Sequence, residues 1–319
     1  MNDFLPWVEK YRPKNIDDII SHDQTIKTIK KLLQNKSLPH LLFYGSPGTG
    51  KTSMIMCIAK EIYEDNIAFM VMKLDASDDR GINSVREDIK SFAEKSNMFY
   101  TGVKLIILDE VDAMTFDAQF ALRRIIEKYS ATIRFCLICN YENKIIPAIR
   151  SRCANFRFAN INNNNVCDKL NLIIKAENIK YENGIVELIA NISKGDLRKA
   201  INILQSISMQ YDYITKDLCY SSINIPTYQE IKLILKTLLD KNSSFNNSYD
   251  IVKNFIKNKG YSLYIILKEI LVQLLNIDFN DNTNIIQIIS ELSDIENLVT
   301  YSTFDDIYIS AFVSIFKKN

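Results

Sequence analysis

Residues 45–52, Gly-Ser-Pro-Gly-Thr-Gly-Lys-Thr, constrain the fold of this chain more than any other segment. They have the spacing of a phosphate-binding loop, with an apolar run at 41–44 before them and a helical pattern at 51–63 after them. Glycines let backbone N–H groups turn towards phosphate oxygens, and the start of a helix adds positive partial charge. We expect Lys51 to reach the β- and γ-phosphates and Thr52 to bind Mg²⁺ through its hydroxyl. The candidate nucleotide-binding residues of this loop are Gly45, Ser46, Pro47, Gly48, Thr49, Gly50, Lys51, Thr52 and Ser53.

Two acidic residues, Asp109 and Glu110, stand at the end of a second apolar run, residues 104–109. The carboxyl ends of parallel strands meet at one edge of a sheet, so both acids are expected beside the phosphate loop. Asp109 would hold Mg²⁺, usually through water, and Glu110 would orient or deprotonate the attacking water. Acids at strand ends are often only helix caps. Their position about sixty residues after a phosphate loop instead favours hydrolysis of the γ-phosphoanhydride of ATP.

Three further polar residues have both an ordinary and a functional interpretation. Asn140 ends the apolar run at 132–140, where it is either a turn former or an amide that positions water near Glu110. Arg152 precedes the predicted strand at 155–159, and Arg198 stands at the start of a predicted helix. Surface arginines usually have no specific role, but hydrolysis builds negative charge on the γ-phosphate, which an arginine can neutralise.

Apolar runs alternate with amphipathic segments in the first half of the chain, which predicts an α/β fold with a parallel sheet. The predicted strands are residues 40–45, 69–75, 104–109, 132–140 and 155–159, and the predicted helices are residues 51–63, 84–94 and 118–129. The Asn-rich run at 160–165 indicates a linker, after which we expect helices and no strands. The predicted domains are an α/β ATPase domain at 1–160, a three-helix unit at 161–225 and an all-helical unit at 226–319.

The all-helical unit at 226–319 contains an apolar stripe with i, i+3, i+4 spacing. Its members are Leu263, Ile266, Leu267, Ile270, Leu271, Leu274 and Leu275. The stripe is broad enough to be core on one side and a partner interface on the other, and a role in the core alone is at least as compatible with the pattern.

Charge and cysteine content exclude several classes of protein. Lys and Arg number 39 against 38 Asp and Glu, so a uniformly basic nucleic-acid-binding protein is excluded, although a local basic surface is not. The six cysteines are too sparse for a disulfide-stapled fold, and we expect reduced thiols in a cytosol-like compartment. Cys136 and Cys139 have C-x-x-C spacing, but a zinc site needs four ligands, so two buried strand residues are favoured. We expect no signal peptide and no membrane span.

The order of these motifs resembles that of the AAA+ ATPases and, more closely, that of the small subunits of replication factor C, the eukaryotic sliding-clamp loader. The resemblance covers roughly residues 4–210. Beyond the phosphate loop and the acids, it rests on Pro-Trp-Val-Glu-Lys-Tyr-Arg-Pro at 6–13, Leu-Asp-Ala-Ser-Asp-Asp-Arg-Gly at 74–81, Ile-Cys-Asn-Tyr at 138–141 and Ser-Arg-Cys at 151–153. Ser46 and Asp75 depart from the usual Pro and Asn, and neither departure touches a catalytic role.

The resemblance implies that the three predicted domains are an ATPase domain at 1–160, a helical lid at 161–225 and a helical oligomerisation collar at 226–319. It also implies a role for each matching residue. Val8 and Arg12 match residues lining the adenine and phosphate side of the pocket, and Asn140 matches sensor 1. Arg198 matches the sensor 2 arginine, which reaches the ATP of its own subunit. Arg152 matches the arginine finger presented to the ATP of the neighbouring subunit. A finger that acts in trans implies that the isolated chain binds ATP but hydrolyses it poorly.

The resemblance also implies partners: other clamp-loader subunits in a heteropentamer, a sliding clamp and primer–template DNA, in the nucleus if the host is a cell. Arg80, Arg86 and Lys90 would contact DNA phosphates, although Glu87, Asp88 and Glu94 favour an ordinary solvated helix face about equally. Three alternatives stay open at this point. They are an ATP-binding structural subunit of a related complex in DNA-damage signalling, a hexameric motor such as a branch-migration helicase, and a homotetramer with one large subunit.

Overall fold

The computed structural model describes residues 5–35, 37–76, 81–94, 102–240, 243–275, 282–300 and 305–317. The chain divides into two compact units, Met1–Ser208 and Met209–Asn319. No helix in these ranges is long and apolar enough to cross a lipid bilayer.

The first unit combines helices with a parallel sheet. In chain order its elements are α1 (Trp7–Lys10), α2 (Asp23–Gln34), β1 (Leu41–Gly45), α3 (Lys51–Tyr63), α4 (Ile67–Met70), β2 (Val71–Asp75), α5 (Gly81–Glu94), β3 (Lys104–Asp109), α6 (Phe116–Tyr129), β4 (Ile133–Cys139), α7 (Pro147–Arg150), β5 (Ala154–Phe158), α8 (Asn163–Ala176), β6 (Lys180–Tyr181), α9 (Ile185–Ser193) and α10 (Leu197–Gln210). Helix α10 extends two residues past the boundary between the units.

The five-stranded sheet has the order β2-β3-β4-β1-β5, and each pair of neighbours is parallel. Side chains alternate between the two faces of each strand, and helices cover both faces. On β1, Leu41 and Phe43 join one apolar cluster with α3, while Leu42 joins the other with α6. Burial on both faces explains why these strands are nearly continuous apolar runs in the sequence.

The strand order brings three chain segments to one edge of the sheet. The phosphate loop follows β1, the acids end β3, and Asn140 follows β4, which lies between β1 and β3. This confirms the predicted fold of a parallel-sheet domain, and it places Asn140 between the loop and the acids.

The prediction for residues 160–165 is partly wrong, because α8 begins inside the Asn-rich run. The side chain of Asn162 accepts a hydrogen bond from the Asn164 N–H at 3.4 Å and so caps the helix. Asn is a poor residue in the middle of a helix but a favoured N-cap, so an Asn-rich run is compatible with both a linker and the start of a helix. Phe69 and Met70 lie in α4, so the second strand also begins two residues later than expected.

Over its described residues, the second unit has helices and one two-residue strand. Its elements are β7 (Tyr213–Ile214), α11 (Lys216–Ile223), α12 (Tyr228–Leu239), α13 (Phe245–Lys259), α14 (Leu263–Leu274), α15 (Asn282–Thr300) and α16 (Asp305–Lys317). The short strands β6 and β7 contradict the expectation of no strands after the Asn-rich run at 160–165. Four helices, α8–α11, occupy the segment for which three were expected. In the apolar stripe of α14 five members are buried, Leu271 packs against the same core and Leu275 is exposed, so the stripe is mainly core.

Candidate nucleotide-binding site

A cavity of about 260 Å³ opens at the carboxyl edge of the sheet in the first unit. It collects most of the residues that the sequence singles out for nucleotide chemistry. Those predicted residues are Val8, Arg12, Pro47, Gly48, Thr49, Gly50, Lys51, Thr52, Ser53, Asp109, Glu110, Asn140 and Arg198. Gly45 and Ser46 line an adjoining depression instead, together with Asn140.

Lys51 begins α3 and is buried, with 7% of its surface exposed. Its Nζ donates to the carbonyl oxygens of Gly45 at 2.7 Å and Ser46 at 2.8 Å, and to Asn140 Oδ1 at 3.0 Å. Burial lowers the pKa of Lys51, against the opposing effect of the nearby carboxylates. Three neutral oxygens therefore hold the ammonium group at the loop, where phosphate oxygens can replace them as stronger, charged acceptors.

Thr52 and Asp109 meet across the cavity floor. The Thr52 hydroxyl donates to Asp109 Oδ2 at 3.1 Å, although the two residues come from α3 and β3. A hydroxyl beside a single carboxylate supplies the hard oxygen ligands that Mg²⁺ takes when nucleotide phosphates and water complete its shell. Among the described residues no group of three or more His, Cys, Asp or Glu side chains could hold a metal alone. The geometry fits a metal that arrives with a nucleotide.

Glu110 lies at the cavity in the left-handed backbone region, with φ 57°. Such a conformation is unfavourable for a residue with a side chain and persists where surrounding structure enforces it. The next turn is tied to β4, because Asp112 Oδ2 accepts the N–H groups of Asn140 at 3.2 Å and Tyr141 at 3.1 Å. The bond to Asp112 holds the backbone of Asn140 in the site, and the side-chain oxygen of Asn140 faces Lys51.

Two walls of the cavity contain residues that are not among the predicted nucleotide-binding residues. Tyr11 and Pro13 belong to the N-terminal segment, and Ile19 and Ile20 follow it. Ile161, Leu197 and Ile201 come from the helical segment that follows the sheet. The sequence signal for these walls is the presence of apolar residues near Val8 and Arg198, because a nucleotide base binds against apolar walls.

The phosphate loop also contacts the start of α10 directly. The Leu197 N–H donates to the Gly48 carbonyl at 3.2 Å. Gly48 lies so close to Asp196 that a Cβ at this position would be 1.8 Å from Asp196 Oδ1. Loop and lid helix are therefore in contact at the site.

Sequence models of three families match successive parts of the chain. They are the ATPase family associated with various cellular activities at 41–160, the RCF1/5-like AAA+ ATPase lid domain at 168–209 and the replication factor C C-terminal domain at 226–314. The chain is 45% identical over 317 residues to the probable replication factor C subunit 5 of Dictyostelium discoideum, with 98% of this chain and 90% of that protein covered. It is 42% identical to the human replication factor C subunit 5, with 98% and 92% covered. The chain belongs to the replication factor C family. It is an AAA+ ATPase.

Solved structures show the same architecture at low sequence identity. The Thermotoga maritima RuvB Holliday junction branch migration motor superposes with a TM-score of 0.54 at 17% identity, over 82% of this chain and 91% of that one. This likeness confirms the AAA+ fold and carries no functional argument.

Arg152, which resembles the arginine finger of the replication factor C family, does not line the cavity. Its Nη1 donates to the Ala148 carbonyl at 2.6 Å, and its Nη2 pairs with Glu127 Oε1 at 2.6 Å. About a third of the side chain is exposed. The guanidinium is therefore presented at the surface between α6, α7 and β5, and it is not part of the lining of its own chain's nucleotide cavity.

The cysteine pair does not form a metal centre. Cys136 and Cys139 are buried on β4 and join opposite apolar clusters, so they face opposite sides of the sheet. Burial raises the pKa of both thiols, to about 12 for Cys139. Of the DNA candidates, Arg80 and the side chain of Arg86 lie outside the described residues. Lys90 is exposed on α5, 4.0 Å from Glu94.

Proposed function

We propose that this replication factor C subunit is an ATP-driven small subunit that helps to open a sliding clamp and load it onto primer–template DNA. One observation carries the ATPase part of the proposal. Lys51, Thr52, Asp109, Glu110 and Asn140 converge on one cavity from three separate strand ends. The parts of the proposal that concern the clamp and the DNA rest on the family membership of this chain and on the resemblance of its motifs.

ATP would occupy the cavity with its phosphates on the loop. Lys51 would neutralise the β- and γ-phosphates, and Thr52 and Asp109 would hold Mg²⁺, which supplies charge stabilisation for γ-phosphoryl transfer. Glu110 would orient the attacking water as its base, and Asn140 would position that water without adding charge. Arg198, at the cavity wall on α10, would contact the phosphates of the same ATP.

Arg152 would complete the site of a neighbouring subunit. Its partial exposure, and the fact that it does not line its own cavity, support a finger that acts in trans. An arginine finger supplies about 10³–10⁵ in rate, so efficient hydrolysis requires assembly. We propose a heteropentamer of clamp-loader subunits, working in the nucleus of a nucleated cell.

The domain organisation that serves this function is an ATPase domain at 1–160, a lid at 161–225 and a collar at 226–319. The family matches at 41–160, 168–209 and 226–314 support this division. We propose further that Arg80, Arg86 and Lys90 contribute a few phosphate contacts to DNA held by the whole assembly. Such contacts carry no sequence preference and weaken with salt.

Two substitutions in the reconstituted complex test the proposal. Lys51→Ala abolishes nucleotide-dependent clamp binding at this subunit, and Arg152→Ala lowers ATP hydrolysis at the adjacent site while leaving ATP binding by this chain unchanged. Lys60→Ala, in the last turn of the same helix α3, is the control for Lys51→Ala and retains wild-type loading. Full ATPase activity in either the Lys51→Ala or the Arg152→Ala complex would contradict the assignment.

A further inference from the structure

The N-terminal wall of the nucleotide cavity is built from a segment with little structure of its own. Val8, Tyr11, Arg12 and Pro13 all line the cavity. Helix α1 has four residues, no side-chain N-cap and no buried residue. A helix of this length is unstable by itself in water, so contacts with the rest of the unit must hold the wall in place.

Two helices of the lid provide those contacts. Glu177 is the C-cap of α8, and its Oε1 accepts from Lys10 Nζ at 2.6 Å and from the Tyr11 hydroxyl. On α10, the Gln205 side-chain oxygen accepts from the Trp7 N–H at 3.0 Å. One carboxylate oxygen therefore binds two consecutive residues of the segment, and one of these, Tyr11, also lines the cavity.

The charge states suit a lasting attachment. Burial alone would raise the pKa of Glu177, but the hydrogen bonds from Lys10 and Tyr11 outweigh burial and lower it. Burial, together with the bond to Glu177, raises the pKa of Tyr11 to about 12. Around neutral pH the carboxylate is ionised and the phenol keeps its proton, so the Tyr11 bond is charge-assisted.

We infer that Glu177 is a positioning residue for the nucleotide: through Lys10 and Tyr11 it fixes the N-terminal wall of the cavity to the lid. It does not touch the cavity itself. Ordering this wall before ATP arrives removes an entropic cost from binding. The inference rests on the proposed ATP site and adds to it the residue that connects the segment at 7–13 to the lid.

Glu177→Gln tests this, because it keeps the shape of the side chain and removes its charge. We expect the Kd of the full-length chain for Mg²⁺-ATP to rise roughly three- to tenfold, the effect of weakening partly exposed charge-assisted bonds. Trp7, the single tryptophan, gives a local readout. Before nucleotide is added, acrylamide should quench it more strongly in Glu177→Gln than in the wild-type chain, at a temperature below the melting transition of both proteins. Glu187→Gln, an exposed glutamate of α9, is the matched control and keeps wild-type values.

A double-mutant cycle separates positioning from general lid stability. Tyr11→Phe keeps the ring in the cavity and removes the hydroxyl, and its effect on the ATP Kd should not add to that of Glu177→Gln. Lys10→Met, which removes the other partner, should raise the Kd in the same direction and provides a second test if Glu177→Gln does not fold. A wild-type Kd in the folded variants, or fully additive losses, would overturn the inference. Lys51→Ala tests the ATP site separately: wild-type binding in that variant would refute the proposed function instead.

Discussion

Substituting Gly48 tests the contact between the phosphate loop and the lid helix. Gly48 has φ 69°, and alanine in this left-handed region costs about 1–2 kcal/mol. The new Cβ would also displace Asp196, whose Oδ1 accepts from the Lys199 N–H at 3.0 Å and caps α10. Loss of such a cap costs about 1 kcal/mol. Gly48→Ala should therefore lower the free energy of unfolding of the first unit by about 2–3 kcal/mol.

Gly50→Ala is the matched comparison. Gly50 has φ 96°, so alanine there would have the same kind of backbone strain, but its Cβ would meet nothing within 4 Å. Its cost should stay at about 1–2 kcal/mol. Urea denaturation without nucleotide, followed by the emission of Trp7 in the first unit, measures both values.

The Asp196→Ala background separates the two contributions. With the carboxylate removed, Gly48→Ala should cost about 1 kcal/mol less than in the wild-type chain, because no cap remains to be displaced. Equal costs of Gly48→Ala in both backgrounds, or equal costs of the Gly48 and Gly50 variants, would refute the argument that loop and lid meet through Asp196.

Two further predictions follow from buried and ionised groups. Gln119 is 1% exposed, and its side-chain oxygen accepts from the Ile146 N–H at 2.9 Å. Gln119→Ala should therefore lower the free energy of unfolding by about 3 kcal/mol, measured by urea denaturation. A decrease below about 1 kcal/mol would contradict this. Glu177 has a lowered pKa, so its contribution to stability is present above its unfolded-state value of about 4.3 and is lost as pH falls through its folded-state value. Wild-type protein should accordingly lose more stability below about pH 4.3 than Glu177→Gln does, and identical pH profiles would show that the carboxylate contributes nothing.

Local rules were sufficient for the elements whose ends are marked by special residues. Helix α3 and strand β3 begin and end where the sequence predicted, because a glycine loop precedes one and charged residues bound the other. The start of α8 was not predictable in this way, because Asn favours both loops and N-caps and only the helix that follows Asn162 decides between them.

The site was predictable to the extent that its residues belong to contiguous motifs. From the sequence, Asn140 is equally compatible with forming a turn and with positioning water. The placement of β4 between β1 and β3 brings its side chain to 3.0 Å from Lys51. The pair of Tyr11 and Glu177, 166 positions apart, has no local signal, because it depends on how the lid folds back on the N-terminal segment.

The most direct test of a site completed by a neighbouring subunit is ATP turnover at the nucleotide site of this chain, compared between the isolated chain and the assembly. The other subunits should carry the substitution that corresponds to Lys51→Ala, so that phosphate release reports this site alone. We expect the isolated chain to bind Mg²⁺-ATP but to release phosphate about 10³-fold more slowly than the assembly, or slower still. Equal turnover in the two states would contradict a site completed by a neighbouring subunit.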